Sequence, residues 1–332
     1  MVEGSLSKTS DGRSLVEMRE SVRVAVVQAS PVRLDRDATA DKACRLIAEA
    51  AARGAELAVL PELLIPGYPR GLGFGSVVGS RSDAGRRAFA QYWANSVEVP
   101  GPITEALGAA AAKSSIYAVV GVSERVPGIR GGTLYNTLLY FGPDGTLLGK
   151  HRKLKPTASE RLIWGDGDGS TLTTIDTPFG IVGGLICWEN YMPLARMAMY
   201  TKGVEIYVAP TADNRDSWQA TIRHIALEGR CFVLASNQFM TRSDIPAEWE
   251  DIGPGPEVIS RGGSAIVDPL GGYIAGPLFG EEGILVAELA LDRIAEARFD
   301  FDVVGHYNRP DVFELRVNEQ ELLVTRPPEA HP

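Results

Sequence analysis

Short apolar runs alternate with longer amphipathic stretches along most of this chain, and Gly- and Pro-bearing turns separate them. A buried strand must be covered on both faces, so strands interleaved with amphipathic helices commit the chain to a layered α/β fold. The runs Val22–Gln28, Leu57–Pro61, Tyr117–Val122, Ile181–Ile186, Glu205–Ala209, Cys231–Ala235 and Ile284–Leu289 read as strands. Asp35–Arg53, Arg86–Ser96, Ile103–Ser114 and the stretches at Tyr191–Tyr200 and around Trp218 read as helices. Two strong turn signals, Gly142-Pro-Asp-Gly145 and Pro269-Leu-Gly271, sit between strand-like runs and predict hairpins. Hairpins inside a βα alternation imply mixed sheets. No composition break, linker or short repeat divides the series. The reading is therefore one domain over residues 21–315, with a flexible lead-in at 1–20 and a frayed tail at 316–332.

Composition narrows the function classes. The chain has 332 residues, 45% of them hydrophobic, which is ample for a large core. A formal charge of −9 leaves no electrostatic footprint for nucleic acid. Three widely spaced cysteines, an odd number, argue against a disulfide framework. No C-x-x-C or H-x-x-x-H pair points to a metal site, and no cofactor is expected. The first residues are polar and of mixed charge, unlike a targeting signal. No apolar run reaches the ~18 residues of a membrane span. A free reactive thiol suits a reducing cytoplasm.

Three segments carry chemistry. Cys187 ends the glycine-bearing run Ile181–Cys187 and precedes Trp188-Glu189-Asn190 and an amphipathic stretch. A thiol at such a strand-to-helix turn lies near unpaired backbone N–H groups that favour the thiolate. The alternative is a buried filler, the ordinary fate of a free cysteine and the one expected for Cys44 and Cys231. Glu62 follows the apolar run at 57–61 and is followed by more apolar residues. It is either a poorly solvated carboxylate fit for a general base or a glutamate at the surface past a strand. Lys150-His-Arg-Lys153-Leu-Lys-Pro-Thr157 is either a solvated charge run or a strand whose alternate cations point inward. An inward lysine requires a carboxylate, and Glu160 is a nearby candidate.

Taken in order, Pro-Glu62 after a strand, Arg-Lys153-Leu-Lys-Pro-Thr and Cys187-Trp-Glu-Asn resemble the nitrilase branch of the carbon–nitrogen hydrolase superfamily. The connecting text resembles it too, through Glu160–Ser170, Lys202–Asp213 and Gly305–Phe313. The resemblance implies a four-layer α-β-β-α sandwich of two mixed sheets. It also implies pairing into homodimers or larger spirals across the helices after Cys187 and around Trp218. Met197, Met199 and Tyr200 fit that surface or plain core packing. Hydrolysis of an organic nitrile to an acid and ammonia is the implied activity, with Cys187 as nucleophile, Glu62 as proton carrier, Lys153 as charge stabiliser and Glu160 as its support. The backbone N–H of Trp188 is expected to assist. Tyr68, Trp188, Tyr191, Pro210 and Thr211 resemble pocket-lining positions, and the text around Cys187 is closest to enzymes of aromatic and arylacetonitrile substrates. Amidase or cyanide-hydrolysing activity and a non-catalytic binding role are the rivals. Glu189 is expected to anchor the turn, and His151 and His306 to be structural or exposed.

Overall fold

The computed structural model describes residues 19–126, 132–246 and 255–322. The lead-in expected before residue 19 and the end of the expected tail, from residue 323, lie outside them. Two mixed sheets face each other with helices outside both. In the first, the order is Gly283–Ala290, Ser21–Gln28, Leu57–Val59, Tyr117–Arg125, Leu134–Phe141 and Leu147–Arg152. Its three middle strands run parallel and its outer pairs antiparallel. In the second, the order is Phe239–Thr241, Val258–Val267, Phe232–Ala235, Ile206–Val208, Gly180–Gly184 and Thr174–Thr177. Again a parallel centre, 180–184 to 206–208 to 232–235, carries antiparallel edges.

Strand alternation explains the four layers. Val22, Val24 and Val26 point between the sheets and meet Val182, Ile206, Val208, Phe232 and Ile266. Their neighbours Ala25 and Val27 point the other way, onto Ala43, Ile47, Leu107 and Ala111 of the helices Arg36–Ala52 and Pro102–Ser114. On the far side, Tyr207, Val233 and Ala265 pack against Met199, Trp218 and Ile222 of the helices Pro193–Thr201 and Asp216–Gly229. Continuous apolar runs in the parallel strands follow from burial on both faces. Met199 and Tyr200 are thus core residues, with Met197 packed beside them.

Local chemistry sets the boundaries. Asp35 caps the first helix by accepting from Ala38 N at 2.9 Å. Gly184 lets two parallel strands close up, because a Cβ there would collide with the Val208 carbonyl. Beyond the sequence expectations, the fold adds the edge strand Thr174–Thr177 and the helix Arg293–Asp300. Part of the expected tail is tied down. Leu322 N donates to Asp168 Oδ2 at 2.8 Å, and Lys202 pairs with Glu319 at 2.6 Å. No helix of the described residues is long and apolar enough to cross a membrane.

Candidate active site

The ends of strands from both sheets bring Glu62, Lys153 and Cys187 to one region. Glu62, just past the Leu57–Val59 strand, is fully buried. Its Oε1 accepts from Lys153 Nζ at 2.9 Å and Asn136 Nδ2 at 2.7 Å, and its Oε2 from Ala212 N at 2.7 Å. Burial, helped by the charge of Glu160, raises its pKa above the ordinary carboxylate range despite the Lys153 ammonium and the Asn136 amide.

Lys153 follows the edge strand Leu147–Arg152, whose alternation separates the basic run into two faces. Lys150 and Arg152 both reach the buried Glu124, at 2.6 Å and 2.9 Å, while His151 and Lys153 point inward. Lys153 Nζ donates to Glu62 and, at 2.8 Å, to Glu160 Oε2. Burial opposes its charge, but Glu62, Cys187 and Glu160 outweigh burial and hold the ammonium protonated well beyond its usual range. Glu160 opens the 3-10 turn Ala158–Leu162 and also caps it, accepting from Thr157 N at 2.8 Å. Its other oxygen accepts from Tyr68 Oη at 2.7 Å. One carboxylate thus both holds the lysine and ties down its own turn.

Cys187 sits at φ 50°, the left-handed region that side-chain-bearing residues seldom occupy. The helix expected immediately after it begins only at Pro193; a 3-10 turn, Cys187–Tyr191, intervenes. The Cys187 N–H donates to Pro210 O at 2.9 Å, and the Thr211 hydroxyl donates to Sγ at 3.0 Å. The expected thiolate-favouring setting is corrected here. Burial, followed by the Glu62 charge, pushes the Cys187 thiol upward, and Lys153 and Thr211 only partly offset them. That upward push favours the thiol over the thiolate, so attack calls for a base.

Glu189 ties the nucleophile turn to the lysine strand. It accepts from Ile186 N at 2.8 Å, Leu154 N at 2.7 Å and His151 Nε2 at 2.9 Å. His151 Nδ1 meets Thr171 O at 2.7 Å. With an acceptor at each ring nitrogen the imidazole carries both protons. Burial opposes that state, yet the pairing with Glu189 raises its pKa. His306 is exposed beside Tyr307. Cys231 is a buried filler, and Cys44 is part-buried on its helix.

A cavity of about 200 Å³ opens onto Sγ, with Tyr68, Arg70, Glu160, Trp188 and Arg215 among its walls. Tyr68 and Glu160 also border a second space of about 260 Å³, with Leu72, Leu162 and Trp164. Trp188 lines the mouth, its Nε1 donating to Asp213 Oδ2 at 2.7 Å under the stacked Arg215 guanidinium. Thr211 is fully buried on the sulfur. Pro210 contributes its carbonyl to Cys187 and is not among the walls of this cavity. Tyr191 turns outward instead: it bonds Thr221 at 2.9 Å, and it is absent from the lining. The last residue of a 3-10 turn falls on a different azimuth from the same residue in an α-helix, which the sequence pattern does not distinguish.

Asn136, the Ala212 N–H and Glu124 hold the site but escaped the sequence reading. Asn136 had a legible trace, as a polar residue inside the apolar strand Leu134–Phe141. Ala212 acts through its backbone and leaves no side-chain signal.

Comparison with known proteins bears on the family and the fold. A family model described as carbon-nitrogen hydrolase matches residues 23–299. An aliphatic nitrilase of Sinorhizobium fredii (strain HH103) is 57% identical over 92% of this chain and 98% of its own. The bifunctional nitrilase/nitrile hydratase NIT4B of Nicotiana tabacum is 53% identical over 91% and 87%. Among solved structures, a carbon-nitrogen hydrolase of Helicobacter pylori G27 superposes with a TM-score of 0.70 at 22% identity, covering 89% of this chain and 97% of that one.

Proposed function

The chain belongs to the carbon–nitrogen hydrolase family, and from that premise we propose that it is a nitrilase working through Cys187. One observation carries the reading: a buried thiol opens onto a cavity that it shares with Glu160, whose lysine partner also binds Glu62. A nitrile carbon is a poor electrophile and calls for sulfur. Glu62 takes the Sγ proton as sulfur bonds to that carbon, then delivers it to the nitrogen, which leaves a thioimidate. Lys153, held as an ammonium, stabilises the charge growing on nitrogen and then on oxygen, with the Trp188 N–H. Water, deprotonated by Glu62, adds to the thioimidate. Loss of ammonia gives a thioester, and a second water releases the acid and restores the thiol.

The raised Glu62 pKa serves this cycle, because proton transfer is most effective near a matched pKa. No step draws on a cofactor. Aromatic and arylacetonitrile substrates are favoured: the 200 Å³ space exceeds the ~150 Å³ void that holds a benzene ring, and Trp188 and Tyr68 offer ring faces. A second product is favoured by a specific observation, the 53% relative named as both nitrilase and nitrile hydratase. If the tetrahedral intermediate expels Cys187 before ammonia, the product is the amide. Exposed Leu194 and Leu227 on the two outer helices support pairing of copies across that layer. A thiol nucleophile suits a reducing compartment.

The test is ammonia, acid and amide release from benzonitrile, phenylacetonitrile, an aliphatic nitrile, their amides and cyanide, with wild type and Cys187→Ala. Nitrile turnover that vanishes in the variant supports the reading. Turnover of amides alone, or of nitriles by Cys187→Ala, overturns it.

A further inference from the structure

The geometry assigns Thr211 to the nucleophile rather than to the substrate: its hydroxyl is the donor that stabilises the Cys187 thiolate as it forms. The inference rests on the proposal that Cys187 is the nucleophile, and goes beyond it. Three of four successive residues after the Ile206–Val208 strand touch the nucleophile or the base. Pro210 O accepts from Cys187 N at 2.9 Å, Thr211 Oγ1 lies 3.0 Å from Sγ, and Ala212 N donates to Glu62 Oε2 at 2.7 Å. The fourth, Asp213, fixes the polarity of the second contact. Its N–H donates to Thr211 Oγ1 at 2.9 Å, occupying an oxygen lone pair and leaving the hydroxyl proton directed at sulfur.

Thr211 is wholly buried, which shields that hydroxyl from bulk water. The charged and titratable groups around Cys187 are Glu62 just past its strand in the first sheet, Lys153 and Glu160 from the edge-strand end and the turn after it, Tyr68 and Arg70 from the loop after Glu62, and Asp213 and Arg215. Glu62 and Glu160 disfavour the thiolate and Lys153 favours it. Among the described residues Thr211 makes the hydrogen bond to Sγ. When Glu62 receives the proton, sulfur keeps the electron pair, and a short hydrogen bond to a charged acceptor strengthens at that moment. The same loop registers base against nucleophile, so both contacts tighten or loosen together.

Thr211→Val removes the donor and keeps the branched shape; Thr211→Ser keeps the donor. Iodoacetamide alkylation of Cys187, followed by peptide mass spectrometry across pH, reads thiolate formation without any nitrile. Loss of one hydrogen bond to a charged group predicts alkylation slower by about 10- to 100-fold at each pH in the Val variant. kcat falls comparably while KM holds, and Ser stays within about threefold of wild type. Unchanged alkylation with a raised KM returns Thr211 to substrate binding and overturns the inference. So does a Ser variant as slow as Val, which makes packing the cause. Should Val not fold, Thr211→Ala supplies the same comparison. A failure of the nucleophile reading is separate: it appears as nitrile turnover by Cys187→Ala, whatever Thr211 does.

Discussion

Replacing Lys153 by Met tests the electrostatic centre of the site. The ammonium is buried and bonded to two carboxylates, Glu62 at 2.9 Å and Glu160 at 2.8 Å. The substitution keeps much of the side-chain volume but leaves both carboxylates without their cation. Breaking a buried pair in this way costs about 3–5 kcal/mol. An unfolding entropy of about 2.1 cal/mol/K per residue over 332 residues is about 0.7 kcal/mol/K, so Tm falls by about 4–7 °C. The pH dependence has a definite sign. Burial already raises the Glu62 pKa, and losing the ammonium raises it further. Such a carboxyl stabilises the fold below its unfolded pKa and loses that contribution as pH rises through its folded one. The Tm deficit therefore widens as pH rises above the ordinary carboxylate range. Adding Glu160→Gln removes one orphaned charge and recovers part of the deficit. Nitrile turnover drops by at least about 10³-fold, through loss of charge stabilisation and a base that stays protonated. Thermal denaturation across pH, with ammonia release, checks all three. A variant within about 1 °C of wild type at every pH would refute the reasoning.

Other substitutions separate the parts. Glu189→Gln retains an acceptor but loses the charge that holds His151, Leu154 N and Ile186 N; kcat is expected to fall about 10- to 100-fold with KM nearly unchanged, measured by steady-state kinetics. Gly121→Ala places a Cβ 2.6 Å from Leu63 N and 2.8 Å from Glu62 Cα, so activity should fall together with Tm, because the base itself is displaced. Tyr191→Phe removes only the exposed bond to Thr221, and kcat/KM should stay within about twofold of wild type.

Much of the site was legible because its residues break local patterns. A glutamate amid apolar neighbours marked Glu62. The period of two in the basic strand split Lys150 and Arg152 from His151 and Lys153, as the structure has them. The layered α/β class followed from the alternation of strand-like and helix-like runs, whereas the four-layer order came from the family resemblance. What stayed hidden depends on tertiary approach. The upward push on the Cys187 thiol comes from burial and from Glu62, distant in sequence, whereas the local turn alone argued for the opposite direction. Tyr191 resembled a pocket residue by position, but a 3-10 turn rotates it outward. The Ala212 N–H meets Glu62 because the two sheets stack, and Asn136 meets it from a strand two places along the same sheet.

The proposed nitrilase activity requires a covalent bond between Cys187 and the substrate carbon. Acid-quenching the enzyme during turnover of a nitrile and mapping the trapped mass by peptide mass spectrometry reads that bond. The predicted result is an adduct of the nitrile's own mass, or of the corresponding acyl group, on the peptide containing Cys187. Full turnover with Cys187 unmodified at every quench time, or an adduct on another side chain, would contradict it.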